Sequence, residues 1–201
     1  MFFRMPKIKA IVFDAGGVIQ GGSGRHFLAQ VKETLGLLPT STPANKSIFD
    51  RKMNLGRISV REMLAKKYPN ASRTQIGAAL ALWEAEWPSD KHMVGLAKRL
   101  KKRCRIFLLS NSDPVHEKRL REEGVLGLFE KPVLSHRVHM LKPGRGIFGF
   151  ALKKWKAKAE ECVFVDDAEE NIKTAKEMGF ATIHFSGQRQ LEAELEKLGV
   201  L

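Results

Sequence analysis

Short apolar runs, separated by longer amphipathic stretches, organise most of the chain. The runs lie at 7–13, 105–109, 133–135, 162–165 and 181–185. Their length and their polar or glycine boundaries are typical of buried strands, and apolar residues between the later runs recur at helical spacing. One of these helices is predicted at 90–102, with Ser89 as its N-cap. Strands that alternate with helices form a parallel sheet covered on both faces, so the pattern predicts an α/β fold.

A long stretch without a convincing strand interrupts this alternation after the first apolar run. Residues 25–37 are predicted to form a helix, and between 47 and 87 the apolar residues recur mostly at helical spacing, broken by glycine and proline. We therefore expect residues 1–18 and 89–201 to form the sheet domain and residues 19–88 to form a small helical insert. Trp83 and Trp87 share one face of a predicted helix, and they are expected to pack the insert against the sheet domain.

Composition and charge narrow the classes of function. The 201 residues are 43% apolar and 28% charged, which is ordinary for a globular domain and excludes a wholly disordered chain. The net charge of +13 favours anionic partners, such as nucleic acid, an acidic surface or a phosphorylated small molecule. No apolar run approaches the ~18 residues that a membrane span needs, and charged residues interrupt the pattern of a signal peptide. We expect a cytoplasmic protein without membrane contact.

Polar residues follow directly on the ends of several predicted strands. They are Asp14, Ser110, Asp166 and Asp167. Ligands of open α/β sheets bind at the carboxyl ends of the strands, so these side chains are expected to converge. Three carboxylates in one place require a cation, and a set of oxygen ligands suits Mg²⁺. Lys142, in a loop, offers a compact positive charge for a phosphoryl group, and Ser110 offers a neutral donor.

Four motifs, in order over nearly the whole chain, resemble those of the haloacid dehalogenase superfamily. They are Val12-Phe13-Asp14-Ala15-Gly16-Gly17-Val18, Leu108-Leu109-Ser110-Asn111, Leu141-Lys142-Pro143 followed by Ile147-Phe148, and Val163-Phe164-Val165-Asp166-Asp167 running on to Asn171, Ala175 and Gly179. Each motif alone is weak, but four in order at strand ends are specific. The resemblance implies a Rossmann-like, three-layer parallel sheet core with a small helical cap at 19–88.

A fifth segment points to one branch of that family. Leu55-Gly56-Arg57-Ile58-Ser59, inside the predicted insert, resembles a turn of the branch that contains glucose-1-phosphate phosphatases and the phosphatase domain of soluble epoxide hydrolases. The resemblance implies hydrolysis of a phosphate ester through a covalent enzyme intermediate. A carboxylate suits that role because it is ionised at neutral pH and forms a labile acyl phosphate.

The resemblance also implies the nucleophile and the metal ligands. Asp14 would take the phosphoryl group as an aspartyl-phosphate. Mg²⁺ would be held by Asp14, the backbone carbonyl of Gly16 and Asp166, with Asp167 near the metal or its waters. These expectations make Mg²⁺ the cofactor and a small phosphorylated metabolite the substrate.

The remaining motif residues are implied to bind phosphate. Ser110, Asn111 and Lys142, with Gly17, would hold the phosphate oxygens, and Ser110 and Lys142 would also stabilise charge in the transition state. Asn171 would orient a side chain of the fourth motif or a metal-bound water.

One position departs from the pattern of typical phosphatases of this family. They carry a second Asp two residues after the nucleophile as the general acid and base, whereas this chain has Gly16 there. Such help is worth ~10² to 10⁴-fold in rate, so the loss is tolerable with a good leaving group or with a substitute such as His26, Arg25 or a residue of the insert. Glycine also stands there in the glucose-1-phosphatase branch, and the dehalogenase branch lacks that Asp too.

Two other functions therefore stay open beside an Mg²⁺-dependent phosphatase. A 2-haloacid dehalogenase would use Asp14 to form an ester with carbon, but Asp167 and the pair Gly16-Gly17 argue against it. A catalytically weak protein of this fold would use its basic surface to bind nucleic acid or another protein. The retained carboxylates and Lys142 argue against that reading, so nucleic acid is not the expected partner.

Overall fold

The computed structural model of the protein describes residues 7–21, 24–38 and 43–201. Its centre is a parallel sheet with the strand order β3-β2-β1-β4-β5. The strands are Ala10–Phe13 (β1), Arg105–Ser110 (β2), Val133–Leu134 (β3), Cys162–Asp166 (β4) and Ala181–His184 (β5). Phe13 pairs with Leu108 on one side and with Val165 on the other. This register brings the carboxyl ends of β1, β2 and β4 to the same edge of the sheet.

Helices surround the sheet and fill the long connection after β1. They are Gly24–Leu35 (α1), Pro43–Asn54 (α2), Val60–Lys67 (α3), Arg73–Ala85 (α4), Lys91–Leu100 (α5), Pro114–Glu122 (α6), Ser135–Val138 (α7), Arg145–Trp155 (α8), Glu169–Glu177 (α9) and Gln188–Lys197 (α10). Short 3₁₀ turns lie at Leu126–Leu128 and Ala159–Glu161. Within the described ranges, no helix is long and apolar enough to cross a membrane.

Both faces of the sheet are buried. Successive side chains of a strand point to opposite faces, and helices cover each face. In β1, Ile11 and Phe13 join one apolar core with α5, α6 and α10, whereas Ala10 and Val12 join a second core with α8 and α9. All four residues are almost wholly buried. The expected three-layer α/β fold with a central parallel sheet is therefore confirmed.

Helices α1 to α4 form a third apolar core of their own. Its largest members include Phe27, Met63, Tyr68 and Trp83. Helix α3 begins at the N-cap Ser59 and helix α4 begins at an N-cap serine too, and both starts carry a reciprocal capping box that satisfies the first backbone N–H groups. These helices fall inside the predicted insert, and the division of the chain at 19–88 stays a prediction.

Three local predictions needed correction. Asp90, not Ser89, is the N-cap of α5, since its carboxylate accepts from the backbone N–H groups of His92 and Met93 at 2.8 and 3.0 Å. The strand predicted at 133–135 is shorter, because Ser135 begins α7. Apolar residues at helical spacing also predict a helix at 147–158, but the structure has it at Arg145–Trp155, and it ends there because Lys156 takes a left-handed backbone conformation.

Candidate active site

A cavity of about 420 Å³ opens at the carboxyl edge of the sheet. That size suits a small-molecule ligand. The sheet side supplies residues at or just after the carboxyl ends of β1, β2 and β4, among them Asp14, Gly16, Gly17, Ser110, Asn111 and Asp167. The helical side supplies aromatic and polar residues, among them Phe27, Asp50, Met53, Lys67, Trp83 and Trp87. The predicted site residues of three motifs therefore converge on one cavity.

Lys142 joins the first and fourth motifs. Its Nζ lies 2.8 Å from Asp14 Oδ1 and 2.6 Å from Asp166 Oδ2, and it also lies 5.5 Å above the ring of Phe164. Its side chain is 1% exposed. Burial lowers the pKa of Lys142, but the charges of the two carboxylates outweigh it and raise the pKa overall. The ammonium group is therefore charged and fixed between the two carboxylates.

Asp166 is held in place on its other side by the start of α9. The side-chain amide of Asn171 donates to both carboxylate oxygens at 2.9 and 3.0 Å, and the backbone N–H of Ala168 donates to Oδ1 at 2.8 Å. The Asp166 carboxylate is wholly buried, so these protein donors, rather than water, satisfy its oxygens and fix its orientation. Asn171 therefore contacts a side chain of the fourth motif, which is the first of the two roles expected for it.

Three carboxylates lie close enough to bind one cation. Asp14, Asp166 and Asp167 each offer an oxygen, and these atoms lie within 4.8 Å of one another. Burial raises the pKa of Asp14 to about 7, with Lys142 opposing and Asp166 adding to the effect. Burial and the charge of Asp166 also raise the pKa of Asp167. The single positive charge of Lys142 is therefore too small to balance the three carboxylates.

The donor set of this cluster fits a hard divalent cation. Oxygen ligands without nitrogen or sulfur suit Mg²⁺ rather than a soft metal. In the described part of the chain, Asn171 Oδ1 is a buried acceptor without a hydrogen-bond partner, and a donor such as a metal-bound water would satisfy it. Asp14, Asp166 and Asp167 could therefore hold Mg²⁺.

Gly17 lies directly against the carboxylate of Asp167. A Cβ atom at position 17 would lie 2.3 Å from Asp167 Oδ2, and the backbone φ of +77° disfavours any residue with a side chain. Only glycine lets the loop after β1 approach the fourth motif this closely. A role for Gly17 in phosphate binding stays a prediction.

Gly17→Ala is expected to destabilise the protein by about 2–5 kcal/mol, because it combines backbone strain with a steric clash. Gly124→Ala is a matched control, since Gly124 has a similar φ of +69° and no atom within 4 Å of the added Cβ. It should cost only the strain, about 1–2 kcal/mol. Urea unfolding of both variants measures the difference, and equal losses would show that Asp167 moves aside freely.

Asn111 and Ser110 occupy different positions at the end of β2. The amide of Asn111 donates to the backbone oxygen of Lys142 and accepts from its backbone N–H, both at 2.9 Å. Asn111 therefore positions the lysine loop. Ser110 is the last residue of β2 and is 1% exposed at the cavity. Direct contacts of both residues with phosphate stay predictions.

The aromatic residues near the end of α4 contact the sheet side of the cavity. Trp83 Nε1 donates to Asp113 Oδ2 at 3.3 Å. Trp87 lies beside Gly16, where an added Cβ would be 3.9 Å from its ring. The expectation that both tryptophans contact the sheet domain agrees with these distances. Trp87 thus borders Gly16, the position at which the resemblance leads one to expect a second Asp.

His26 is poorly placed to replace that Asp. Its side chain is 63% exposed, its Nδ1 lies 2.7 Å from Glu86 Oε2, and it is not among the residues that line the cavity. The side chain of Arg25, the other named substitute, lies outside the described residues. Neither position therefore supports the expectation of a substitute acid, and the part played by a residue of the insert stays a prediction.

His116 lines the cavity but belongs to none of the four motifs. Its Nδ1 lies 2.7 Å from Oδ2 of Asp113, which is wholly buried. Burial would raise the pKa of Asp113, but hydrogen bonds from His116 and from backbone N–H groups outweigh it and lower the pKa. The signal in the sequence is the spacing of an Asp and a His three residues apart at a helix start, which is too common to single out.

The basic surface lies at the other edge of the sheet. Six cationic residues line a shallow groove beside the amino ends of β1 and β2, namely Lys7, Lys9, Lys101, Lys102, Arg103 and Arg105. Two of them are paired with acids, Lys9 with Glu161 and Arg105 with Glu130. Positive charge in this groove is therefore separated from the cavity by the length of the strands.

Comparison with known proteins gives a consistent family. The model of the haloacid dehalogenase-like hydrolases matches residues 8–179. The chain is 31% identical over 193 residues to D-ribitol-5-phosphate phosphatase of Bacteroides thetaiotaomicron, which covers 87% of this chain and 90% of that protein. Over 70 residues it is 40% identical to bifunctional epoxide hydrolase 2 of Mus musculus, which covers 35% of this chain and 13% of that protein.

Solved structures share the architecture. A HAD family enzyme from Bacteroides thetaiotaomicron, in complex with magnesium and inorganic phosphate, superimposes with a TM-score of 0.74 at 25% identity, over 90% of this chain and 96% of that one. An L-2-haloacid dehalogenase from Xanthobacter autotrophicus, with chloropropionic acid covalently bound, has a TM-score of 0.64 at 16% identity, over 96% and 84% of the two chains. The second likeness concerns the fold alone.

Proposed function

Because the chain belongs to the haloacid dehalogenase-like hydrolases, we propose that it is an Mg²⁺-dependent phosphatase that hydrolyses a small phosphorylated metabolite through Asp14. One observation carries the proposal. Lys142 Nζ bridges Asp14 and Asp166 at 2.8 and 2.6 Å beside a third carboxylate, Asp167, and Asp14 and Asp167 line the cavity. A phosphate ester needs such a site, with a nucleophile, a fixed positive charge and ligands for a divalent cation.

The metal would be held by Asp14, the backbone carbonyl of Gly16 and Asp166, with Asp167 near the metal or its waters. Bound there, Mg²⁺ would supply positive charge against the phosphate oxygens and the developing charge of the transition state. The related enzyme of Bacteroides thetaiotaomicron, solved with magnesium and inorganic phosphate, supports this assignment.

The protein's own residues account for the phosphoryl transfer. The Asp14 carboxylate attacks phosphorus while the bond from phosphorus to the leaving oxygen breaks, and water later releases phosphate from Asp14. Asp14 Oδ1 is already held by Lys142 Nζ and by the backbone N–H of Ala15, at 2.8 and 2.7 Å, so the carboxylate enters the reaction in a fixed orientation. Lys142 and Ser110 would contact the phosphate oxygens.

The helical side of the cavity would select the substrate. We assign residues 19–88 to a cap over the site, because aromatic and polar residues of α1 to α4 line the cavity opposite Asp14. Asp50 and the buried Lys67 form an ion pair there, and Asn54 also lines the cavity. Such groups suit the hydroxyls of a small sugar or polyol phosphate, and the similarity to a ribitol-phosphate phosphatase supports that class.

A screen for phosphate release tests the proposal directly. The purified protein with Mg²⁺ is expected to release inorganic phosphate from p-nitrophenyl phosphate and from some sugar or polyol phosphates. It is expected to release no halide from 2-chloropropionate. Halide release without added metal, together with no phosphate release from any ester, would instead identify a 2-haloacid dehalogenase.

A further inference from the structure

Asp113, which is wholly buried, and His116, whose side chain is 13% exposed, form a pair that the phosphoryl transfer described above does not use. Asp113 also caps α6, since its Oδ1 accepts from the backbone N–H groups of Val115 and His116 at 2.8 and 3.2 Å. Trp83 Nε1 adds a third donor to this carboxylate. An ionised carboxylate can only accept hydrogen bonds, so His116 Nδ1, 2.7 Å away, carries its hydrogen towards Asp113.

This arrangement leaves the other ring nitrogen of His116 unused. Among the residues that the structure describes, His116 Nε2 and Trp87 Nε1 are both buried and lack a hydrogen-bond partner. Both residues line the cavity that contains Asp14, and their ring centroids lie 4.8 Å apart. Buried polar atoms without partners are rare in proteins, and at a cavity wall they indicate a ligand that completes their bonds.

The pair also lies where the chemistry needs a proton. Trp87 borders Gly16 with a Cβ-to-ring distance of 3.9 Å, and His116 packs on the same tryptophan. Gly16 follows Asp14 by two positions, and it has no proton to give. His116 is therefore separated from Gly16 by the ring of Trp87, and it lines the same cavity as Asp14.

We propose that His116 is the proton donor to the leaving-group oxygen, with Asp113 as the residue that positions it. The proposal rests on the phosphatase function given above. In this step the ring of His116 carries a hydrogen on both nitrogens: as Asp14 bonds to phosphorus and the ester bond breaks, the Nε2 proton passes to the leaving oxygen, which departs as an alcohol, and the ring becomes neutral. Neutral Nε2 then takes a proton from the water whose oxygen attacks phosphorus, the bond from Asp14 to phosphorus breaks, and phosphate leaves.

The dependence on the leaving group tests this role. p-Nitrophenolate leaves without a proton, whereas an alkoxide needs one. His116→Asn, which keeps a donor towards Asp113, is expected to lose about 10²-fold more kcat/KM on an alkyl phosphate than on p-nitrophenyl phosphate. His116→Gln provides a second variant if the first folds poorly. Equal losses on both substrates would overturn the role, since they indicate packing alone.

His92→Asn is the matched control, because His92 is exposed on α5, outside the cavity. It should change neither substrate selectively. A restored acid gives a second measurement: Gly16→Asp, whose Cβ would meet Trp87 at an ordinary contact distance, should recover alkyl phosphate hydrolysis in the His116→Asn background more than in the wild type. No recovery with intact folding would count against His116 as the acid.

Asp113→Asn distinguishes positioning from catalysis. Asparagine caps a helix as well as aspartate does, so α6 should begin as before. It no longer forces the hydrogen of His116 onto Nδ1, so the selective loss on alkyl phosphates should reappear and should not add to that of His116→Asn. Additive losses would contradict a shared role. If wild-type protein hydrolyses neither ester, or if its activity survives in an Asp14→Asn variant, the proposed function itself is wrong and this role falls with it.

Discussion

Asp14→Asn is expected to reduce phosphate release from every ester by at least about 10⁴-fold, because it removes the atom that attacks phosphorus. An amide oxygen is a poor nucleophile and a weak ligand for a divalent cation. Isosteric size lets the variant keep the bond from the backbone N–H of Ala15, which is 2.7 Å long in the wild type. The measurement is kcat/KM on p-nitrophenyl phosphate and on the best substrate of the phosphate screen.

Asp90→Asn is the control for this experiment. It makes the same chemical change at the N-cap of α5, away from the cavity, and it retains the cap. Its activity should match that of the wild type. Treatment of the wild type with EDTA should lower the rate as Asp14→Asn does, and added Mg²⁺ should restore it. Hydrolysis that persists in Asp14→Asn would exclude this carboxylate as the nucleophile.

Lys142→Met is expected to affect both activity and folding. Loss of one donor to the transition-state charge typically costs about 10²- to 10³-fold in kcat. The same change leaves Asp14 and Asp166 buried without their cation, which destabilises a protein by roughly 3–5 kcal/mol. For a chain of this size the Tm in EDTA should fall by about 10 °C.

Magnesium separates the two effects of Lys142→Met. A divalent cation bound by the same carboxylates should restore part of the Tm, since any ligand of the native state stabilises it. It should not restore the rate, because the ammonium group is still missing. Lys118→Met, which removes an exposed pair with Glu122 at 3.7 Å, is the control and should change the free energy of unfolding by less than about 1 kcal/mol. A Tm of Lys142→Met that equals the control would contradict the buried bridge.

The strand ends could be predicted from the sequence because they depend on the order of apolar and polar residues within a short segment. A short apolar run that stops at a polar residue fixes both the strand and the position of Asp14, Ser110 and Asp166, and parallel pairing brings such ends together. The position of Lys142 between Asp14 and Asp166 was harder to predict, because it depends on the conformation of a loop and on the contact of that loop with Asn111. The four motifs located that loop, but not its hydrogen bonds.

Features that depend on packing between distant elements could not be predicted. Ser89 and Asp90 are both good N-caps, and the choice of Asp90 accompanies a tertiary contact in which the backbone N–H of Ser89 donates to Glu123. The position of His116 at the cavity depends on its ring contacts with Trp83 and Trp87, which lie at and just after the end of α4. Neither the residues around His116 in the sequence nor its spacing from Asp113 distinguishes it from a surface histidine.

The position of β1 in the middle of the sheet has a consequence for the order of folding. Ala10 pairs with Arg105 of β2 on one side and with Cys162 of β4 on the other. Both pairings of β1 therefore join segments that are far apart in the sequence. Such distant contacts slow folding, whereas helices α1 to α4 contact one another locally and can form first. Asp14, which directly follows β1, therefore gains its fixed surroundings late, and enzymatic activity during refolding should report completion of the sheet rather than formation of the helices.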